Sequence, residues 1–244
     1  MITSKRFSVL ASLVISFLLF PIIGEGWSKK KKTIKVACVG DSITFGARLE
    51  NRDKDSYPAQ LQLLFGKQYE VSNFGVGSCT LIRKGSPTVW NQLNKIKEVN
   101  PDVIIISLGT NDTCGRGTCG DRKCWEYKDE FEGDYSDLID TLKSWPSQPK
   151  IWICAPSPMV LETPDLNQDR INGLTIRKPR LQELIKTTKK VAEKKNVGFI
   201  DLNTPLENKP ELFTEKDGVH PNKKGYLAIA KLIYKQINMD NKRK

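Results

Sequence analysis

The sequence holds a single histidine, His220, within Asp217-Gly218-Val219-His220-Pro221-Asn222 near its C-terminal end. Towards the other end, Gly40-Asp41-Ser42-Ile43-Thr44-Phe45-Gly46 follows an apolar run over residues 34–39. A serine hydroxyl is a poor nucleophile until a neighbouring base takes its proton, and the usual base is an imidazole steadied by a carboxylate. With one imidazole in the chain, His220 is that base or there is none. Asp217, three residues earlier, can reach the other ring nitrogen across a short loop and fix its tautomer and orientation. Taken singly, Asp217 also reads as a turn residue and His220 as a surface histidine. Ser42 after a first strand, with Asp-x-x-His before a last helix, makes them parts of a serine hydrolase.

For these groups to meet, the two ends of the chain must come together. Five short apolar runs, 34–39, 69–73, 103–108, 151–154 and 198–202, alternate with segments of helical period at 57–65, 89–99, 125–145, 177–195 and 222–237. Val103-Ile104-Ile105-Ile106 is apolar without alternation, as in a strand covered on both faces. Ser56 stands at an N-cap position, and Pro58 and Pro179 fall where a first helical turn tolerates proline. This alternation predicts an α/β fold, a three-layer α/β/α arrangement around a five-stranded parallel sheet. Functional groups in such sheets collect beyond the C-terminal ends of the strands. Ser42, residues 74–80, Thr110-Asn111-Asp112 and Asp217/His220 all fall there, and the irregular stretch 155–175 borders the same rim.

Four blocks carry a family resemblance: Gly40-Asp41-Ser42-Ile43, Asn73-Phe74-Gly75-Val76-Gly77-Ser78-Cys79-Thr80, Leu108-Gly109-Thr110-Asn111-Asp112 and Asp217-Gly218-Val219-His220-Pro221. In this order they resemble the signature blocks of SGNH/GDSL hydrolases, whose fold is flavodoxin-like. No G-x-S-x-G elbow is present, which argues against the α/β-hydrolase alternative. The resemblance implies Ser42 as nucleophile, His220 as base and Asp217 as its orienting acid. It also implies an oxyanion hole from the Ser42 N–H, a second-block glycine N–H and the Asn111 side chain. Aligning Asn73 and Thr80 with the family pattern puts Ser78 where glycine is usual and Gly77 one place earlier, so either N–H could be the donor. Asp41 takes a structural hydrogen-bonding role. Arg83 and Lys84 could contact an anionic substrate but read first as a solvated turn, and Trp90 and Trp125 read first as core.

Composition places the chain outside the cytoplasm. Lys5 and Arg6 precede an apolar run over residues 7–23, and Gly24-Glu25-Gly26 offers a small-x-small cleavage site. Residues 1–26 therefore read as a signal peptide, and 27–244 as a single secreted or periplasmic domain without stable membrane insertion. Of the six cysteines, Cys114, Cys119 and Cys124 fall in one glycine-rich loop and suit one or two disulfides there, with Cys79 as a further partner, whereas Cys38 and Cys154 sit at strand ends and read as buried thiols. A zinc site needs C-x-x-C pairs or a second histidine, so no metal is expected, and the mechanism requires no cofactor. The formal charge of +11 includes lysine-rich ends. It comes without any nucleic-acid-binding motif, so no nucleic acid partner is expected.

Within the family, stretches such as Leu81-Ile82-Arg83-Lys84-Gly85 look most like exported sialate O-acetylesterase-like carbohydrate esterases. The resemblance implies an acylated glycan as substrate, with a sugar hydroxyl as leaving group. Two other readings stand beside it: a periplasmic thioesterase or lysophospholipase on the same scaffold, or a glycan-binding protein of weak turnover. The best candidate for holding a long acyl chain is the short run Met159-Val160-Leu161.

Overall fold

The structure, a computed structural model, describes residues 1–2 and 32–241. The chain divides into two units, residues 1–31 and 32–244, and the second carries all that follows. The expected signal peptide from residue 3 onward, with its expected cleavage point, and the basic residues 242–244 lie outside the described residues. No helix among the described residues is long and apolar enough to cross a membrane.

Five strands form one sheet among the described residues: β1 (Ile34–Gly40), β2 (Tyr69–Gly75), β3 (Val103–Ser107), β4 (Lys150–Ala155) and β5 (Gly198–Asp201). Their order is β2-β1-β3-β4-β5, and every neighbouring pair is parallel. The α-helices are α1 (Ser42–Phe45), α2 (Arg52–Asp55), α3 (Tyr57–Phe65), α4 (Leu93–Glu98), α5 (Phe131–Lys143), α6 (Gln168–Lys195) and α7 (Lys223–Asn241). This is the α/β/α architecture expected from the alternation of apolar runs and helical segments. β1 has β2 on one side and β3 on the other, so the chain's connections part there and open a crevice beyond the C-terminal ends of these strands.

Strand side chains alternate between faces, and the core divides accordingly. Val36, Cys38, Ile105, Trp152, Cys154 and Ile200 share one cluster with Tyr57 and Leu61 of α3 and Tyr226, Ile229 and Ile233 of α7. Ala37, Val39, Ile104, Ile106, Ile151 and Ile153 share the other with Ile96 of α4 and Tyr135, Leu138 and Leu142 of α5. Burial of each large apolar side chain contributes roughly 1.5–3 kcal/mol. Such a sheet needs apolar residues at consecutive positions, which is why β3 shows no alternation.

Three expectations change. The helix expected from residue 177 begins at Gln168, capped by Asn167 accepting from the Arg170 N–H at 2.8 Å, so Pro179 lies inside it. Burial of Leu174 and Arg177 holds the earlier turns in place, and the irregular rim shortens to residues 156–167. The helix expected over 125–145 is α5 preceded by a 3₁₀ segment, Cys124–Glu130. Cys114 and Cys119 form a disulfide within the glycine-rich loop, but Cys79 does not join it. Cys38, Cys79, Cys124 and Cys154 are free thiols and buried.

Gly75 ends β2 against α1. A Cβ there would lie 2.0 Å from the Phe45 nitrogen and 2.5 Å from the Thr44 carbonyl carbon. Backbone cannot step aside as a side chain can, so Gly75→Ala should lower the unfolding free energy by about 1–3 kcal/mol. Gly133→Ala, with open space around an exposed position in α5, should raise it by about 0.5–1 kcal/mol. Urea unfolding of both variants against wild type checks the pair, and equal destabilisation would sink the argument.

Candidate active site

Ser42 is the first residue of α1, set on the tight turn that follows β1. The Asp41 carboxylate caps that helix by accepting from the Ile43 N–H at 2.8 Å, and Gly46 closes it in the left-handed conformation. His220 arrives from the far end of the chain, on the loop before α7. Asp217 Oδ1 organises that loop, accepting from the backbone N–H of Val219 at 3.0 Å and of His220 at 2.8 Å. Gly218 between them sits at φ 68°.

The same carboxylate holds the ring: His220 Nδ1 is 3.0 Å from both Asp217 oxygens. A carboxylate only accepts, so Nδ1 carries the hydrogen and Nε2 is left as an acceptor. Ser42 Oγ lies 2.9 Å from Nε2. Burial works against the Asp217 charge, but the His220 ring and N–H and the nearby Arg170 outweigh it, holding the carboxyl well below the usual carboxylate range. Arg170 donates to Asp217 Oδ1 at 3.2 Å and to its carbonyl at 2.7 Å, and Arg48 Nε stands 3.4 Å from Oδ2.

The second and third blocks meet beside Ser42. Asp112, fully buried, accepts from the N–H groups of Leu81 at 2.9 Å and Ile82 at 2.8 Å, tying one block to the other. Burial raises its carboxyl to about 7 against the pull of those two donors, and the neighbouring Asp41 adds to the rise. Asp41 is itself pushed up to about 6 by burial, opposed by the Ile43 N–H and by His220. Asn111 Nδ2 donates to the Cys79 carbonyl at 3.1 Å and reaches Asp41 Oδ2 at 3.4 Å, while its Oδ1 accepts from Arg122 at 3.1 Å.

Ser78 occupies the left-handed region, φ 63°, at the place where the family pattern has glycine. A residue with a Cβ holds this conformation at a cost of roughly 1–2 kcal/mol. The N–H groups of Ser42, Gly77 and Ser78 have no acceptor among the described residues. Ser42, Gly77, Ser78, Asn111 and His220 all line one cavity of about 500 Å³, within the ~300–1,000 Å³ usual for small-molecule sites.

Arg83 and Lys84 are not at this cavity. Arg83 pairs with Asp134 and Asp137, and Lys84 with Glu130. Trp90 donates to the Leu81 carbonyl at 2.9 Å, with Arg83 over its ring. Sequence reasoning passed over four arginines that do line the cavity, Arg48, Arg122, Arg170 and Arg177. The one available signal was the seven-residue spacing of Arg170 and Arg177, which puts both on one helix face.

The model of the GDSL-like lipase/acylhydrolase family matches residues 38–228. The chain is 32% identical over 223 residues to an acetylxylan esterase of Xylanibacter ruminicola, covering 84% of this chain and 43% of that protein. It is 25% identical over 276 residues to a multidomain esterase of Ruminococcus flavefaciens, covering 96% of this chain and 33% of that protein. The chain thus spans less than half the length of either curated relative. The crystal structure of an acetyl xylan esterase superimposes with a TM-score of 0.61 at 25% identity, over 83% of this chain and 98% of that one.

The two raised carboxyls fix the sign of one pH effect. An acid whose carboxyl group is raised in the native state binds its proton more tightly there than in the unfolded chain. Its stability contribution is therefore full below the ordinary value of 3.8 and is lost as pH rises to about 7 for Asp112. Asp217, lowered, works in the opposite sense and below that window. Asp112→Asn should flatten the fall in unfolding free energy between pH 4.5 and 7.5 by of the order of 1–3 kcal/mol. Denaturant titrations at the two pH values give the slope, and an unchanged slope would show that Asp112 is not the group responsible.

Proposed function

Because the chain belongs to the GDSL-like lipase/acylhydrolase family, we propose that it is a serine carboxylic ester hydrolase removing short acyl groups, acetyl above all, from carbohydrate. One observation carries the reading: Ser42 Oγ, the His220 ring and the Asp217 carboxylate stand in line at 2.9 and 3.0 Å. The names of the acetylxylan esterase relative and of the acetyl xylan esterase structure support the substrate class. The export reading rests on residues 1–26.

In this mechanism Ser42 Oγ attacks the ester carbonyl as His220 Nε2 takes the hydroxyl proton. Negative charge gathers on the carbonyl oxygen, where the N–H groups of Ser42 and of Ser78 or Gly77 are free to receive it. Asn111 adds a third donor. Its hydrogen toward Asp41, held at the long distance of 3.4 Å, is the one with least to lose by turning to the oxyanion. Collapse expels the sugar hydroxyl, protonated by His220, and leaves an acyl group on Ser42. Water then attacks by the same route, its proton passing through His220 back to Ser42.

The long-chain reading finds less support. Met159 and Val160 are buried in the core and, with Leu161, stand apart from the cavity lining. The apolar wall consists of Phe45, Ala47 and Val219, room for a short acyl group. The binding-protein reading rested on Ser78, whose N–H has no acceptor among the described residues and so stays available as a donor.

On p-nitrophenyl acetate, butyrate and octanoate, turnover should fall steeply with chain length. Ser42→Ala should remove about 10⁴-fold or more of the acetate activity. Octanoate preference would transfer the assignment to a lipid or thioester substrate, and turnover that survives in Ser42→Ala would end the serine mechanism. Asn111→Ala should cost about 10²–10³ in kcat; an unchanged kcat would remove Asn111 from the oxyanion hole.

A further inference from the structure

The cavity beside Ser42 is lined by four arginines and, among the described residues, by no acidic side chain. Two of the four are already engaged: Arg48 and Arg170 share the Asp217 carboxylate. The other two have no ion pair among the described residues. Arg122 gives one nitrogen to Asn111 Oδ1 at 3.1 Å and has others to spare. Arg177 is only 5% exposed, yet its two hydrogen bonds go to uncharged acceptors, Thr113 Oγ1 at 2.9 Å and the Thr110 carbonyl at 2.8 Å.

A buried guanidinium with neutral partners carries an unpaid desolvation cost, and a second cation beside it adds repulsion. Burial first, then Arg170 and Arg122, lower the Arg177 guanidinium to about 9. The same chain pairs cations with acids elsewhere: Arg83 with Asp134 and Asp137, Lys128 with Glu183, Lys190 with Glu132. The shortage of acids is a property of this cavity.

Resting on the esterase reading, we propose that these arginines select acylated glycans bearing a carboxylate on or next to the acylated sugar, a uronic-acid type of substrate. The planar guanidinium fork matches a carboxylate with two parallel hydrogen bonds. An acetyl group has no ionisable group, so the carboxylate belongs to the leaving-group side. Arg122 and Arg177 receive it, and Arg48, 61% exposed at its side chain, stands at the mouth.

The test uses the full chain carrying Ser42→Ala, so that substrate persists, and calorimetric titration with an acetylated uronic-acid trisaccharide and its carboxyl-reduced, neutral counterpart. The acidic form should bind about tenfold more tightly. That advantage should shrink in 1 M salt without vanishing, because ions in a partly buried site are screened less than exposed ones. Arg122→Gln and Arg48→Gln should each cut it at least about threefold, whereas Lys231→Gln, on the exposed side of α7, should leave it intact. Equal binding of the two sugars overturns the proposal, and so does a loss in Lys231→Gln as large as in Arg122→Gln. If an arginine variant fails to fold, the comparison of the acidic and neutral sugars on the parent still decides. Hydrolysis of p-nitrophenyl acetate by wild type, an ester without a carboxylate, reports on the esterase reading separately. Turnover without acidic preference overturns the anion site alone; acidic preference without turnover overturns the esterase reading alone.

Discussion

Three strand ends lie level, and little else in this molecule could stand as it does if they did not. Gly40 at the end of β1 faces Gly75 on one side and Ser107 on the other. A Cβ on Gly40 would come within 2.6 Å of the Ser107 carbonyl oxygen and 2.1 Å of Thr44 Oγ1. Backbone is packed against backbone there, so the turn carrying Ser42, the second block and the third block issue from one line. The Val76 N–H bonding to the Gly40 carbonyl at 3.0 Å continues that contact past the end of the sheet.

Three carboxylates then divide the remaining work by their surroundings. Asp217 is surrounded by donors and stays charged. Asp41 and Asp112 are buried with few donors, and their proton affinity rises as a result. The third-block aspartate has no contact with the Ser42–His220 pair, yet it fastens Leu81 and Ile82 and so holds the second block in place. Its part is architectural, and it is spent on positioning backbone N–H groups that face the cavity.

Much of this was legible in the sequence because it is local. Apolar blocks without alternation announce a sheet covered on both faces, and Asp-x-x-His is a loop whose geometry follows from its spacing. The start of α6 was hidden for a physical reason. Pro179 mimics a first turn, and a helix face normally marked by apolar residues is filled at Arg177 by a buried cation. The arginine lining was hidden with it, since charged side chains leave no period to read and only the tertiary fold brings residues 48, 122, 170 and 177 to one wall. The fate of Cys79 followed the same logic: in a core, a thiol is simply a small apolar group, and its pairing cannot be inferred from proximity in sequence.

Helix α6 has one further consequence. At 1.5 Å per residue its 28 residues extend about 42 Å. Leu174 and Leu181 anchor it in one core cluster, and Leu184, Val191 and Ala192 in the other. Arg170 and Arg177 are two turns apart on this bar, so their Cα positions are separated by roughly 10 Å whatever occupies the cavity. The bar is a ruler with two charged graduations, and its stiffness is borrowed from the two core clusters it spans. Arg170 on that bar holds Asp217, and Arg177 holds Thr110 and Thr113, so a single stiff helix keeps the acid of the Asp–His pair and the third block in fixed relation to each other.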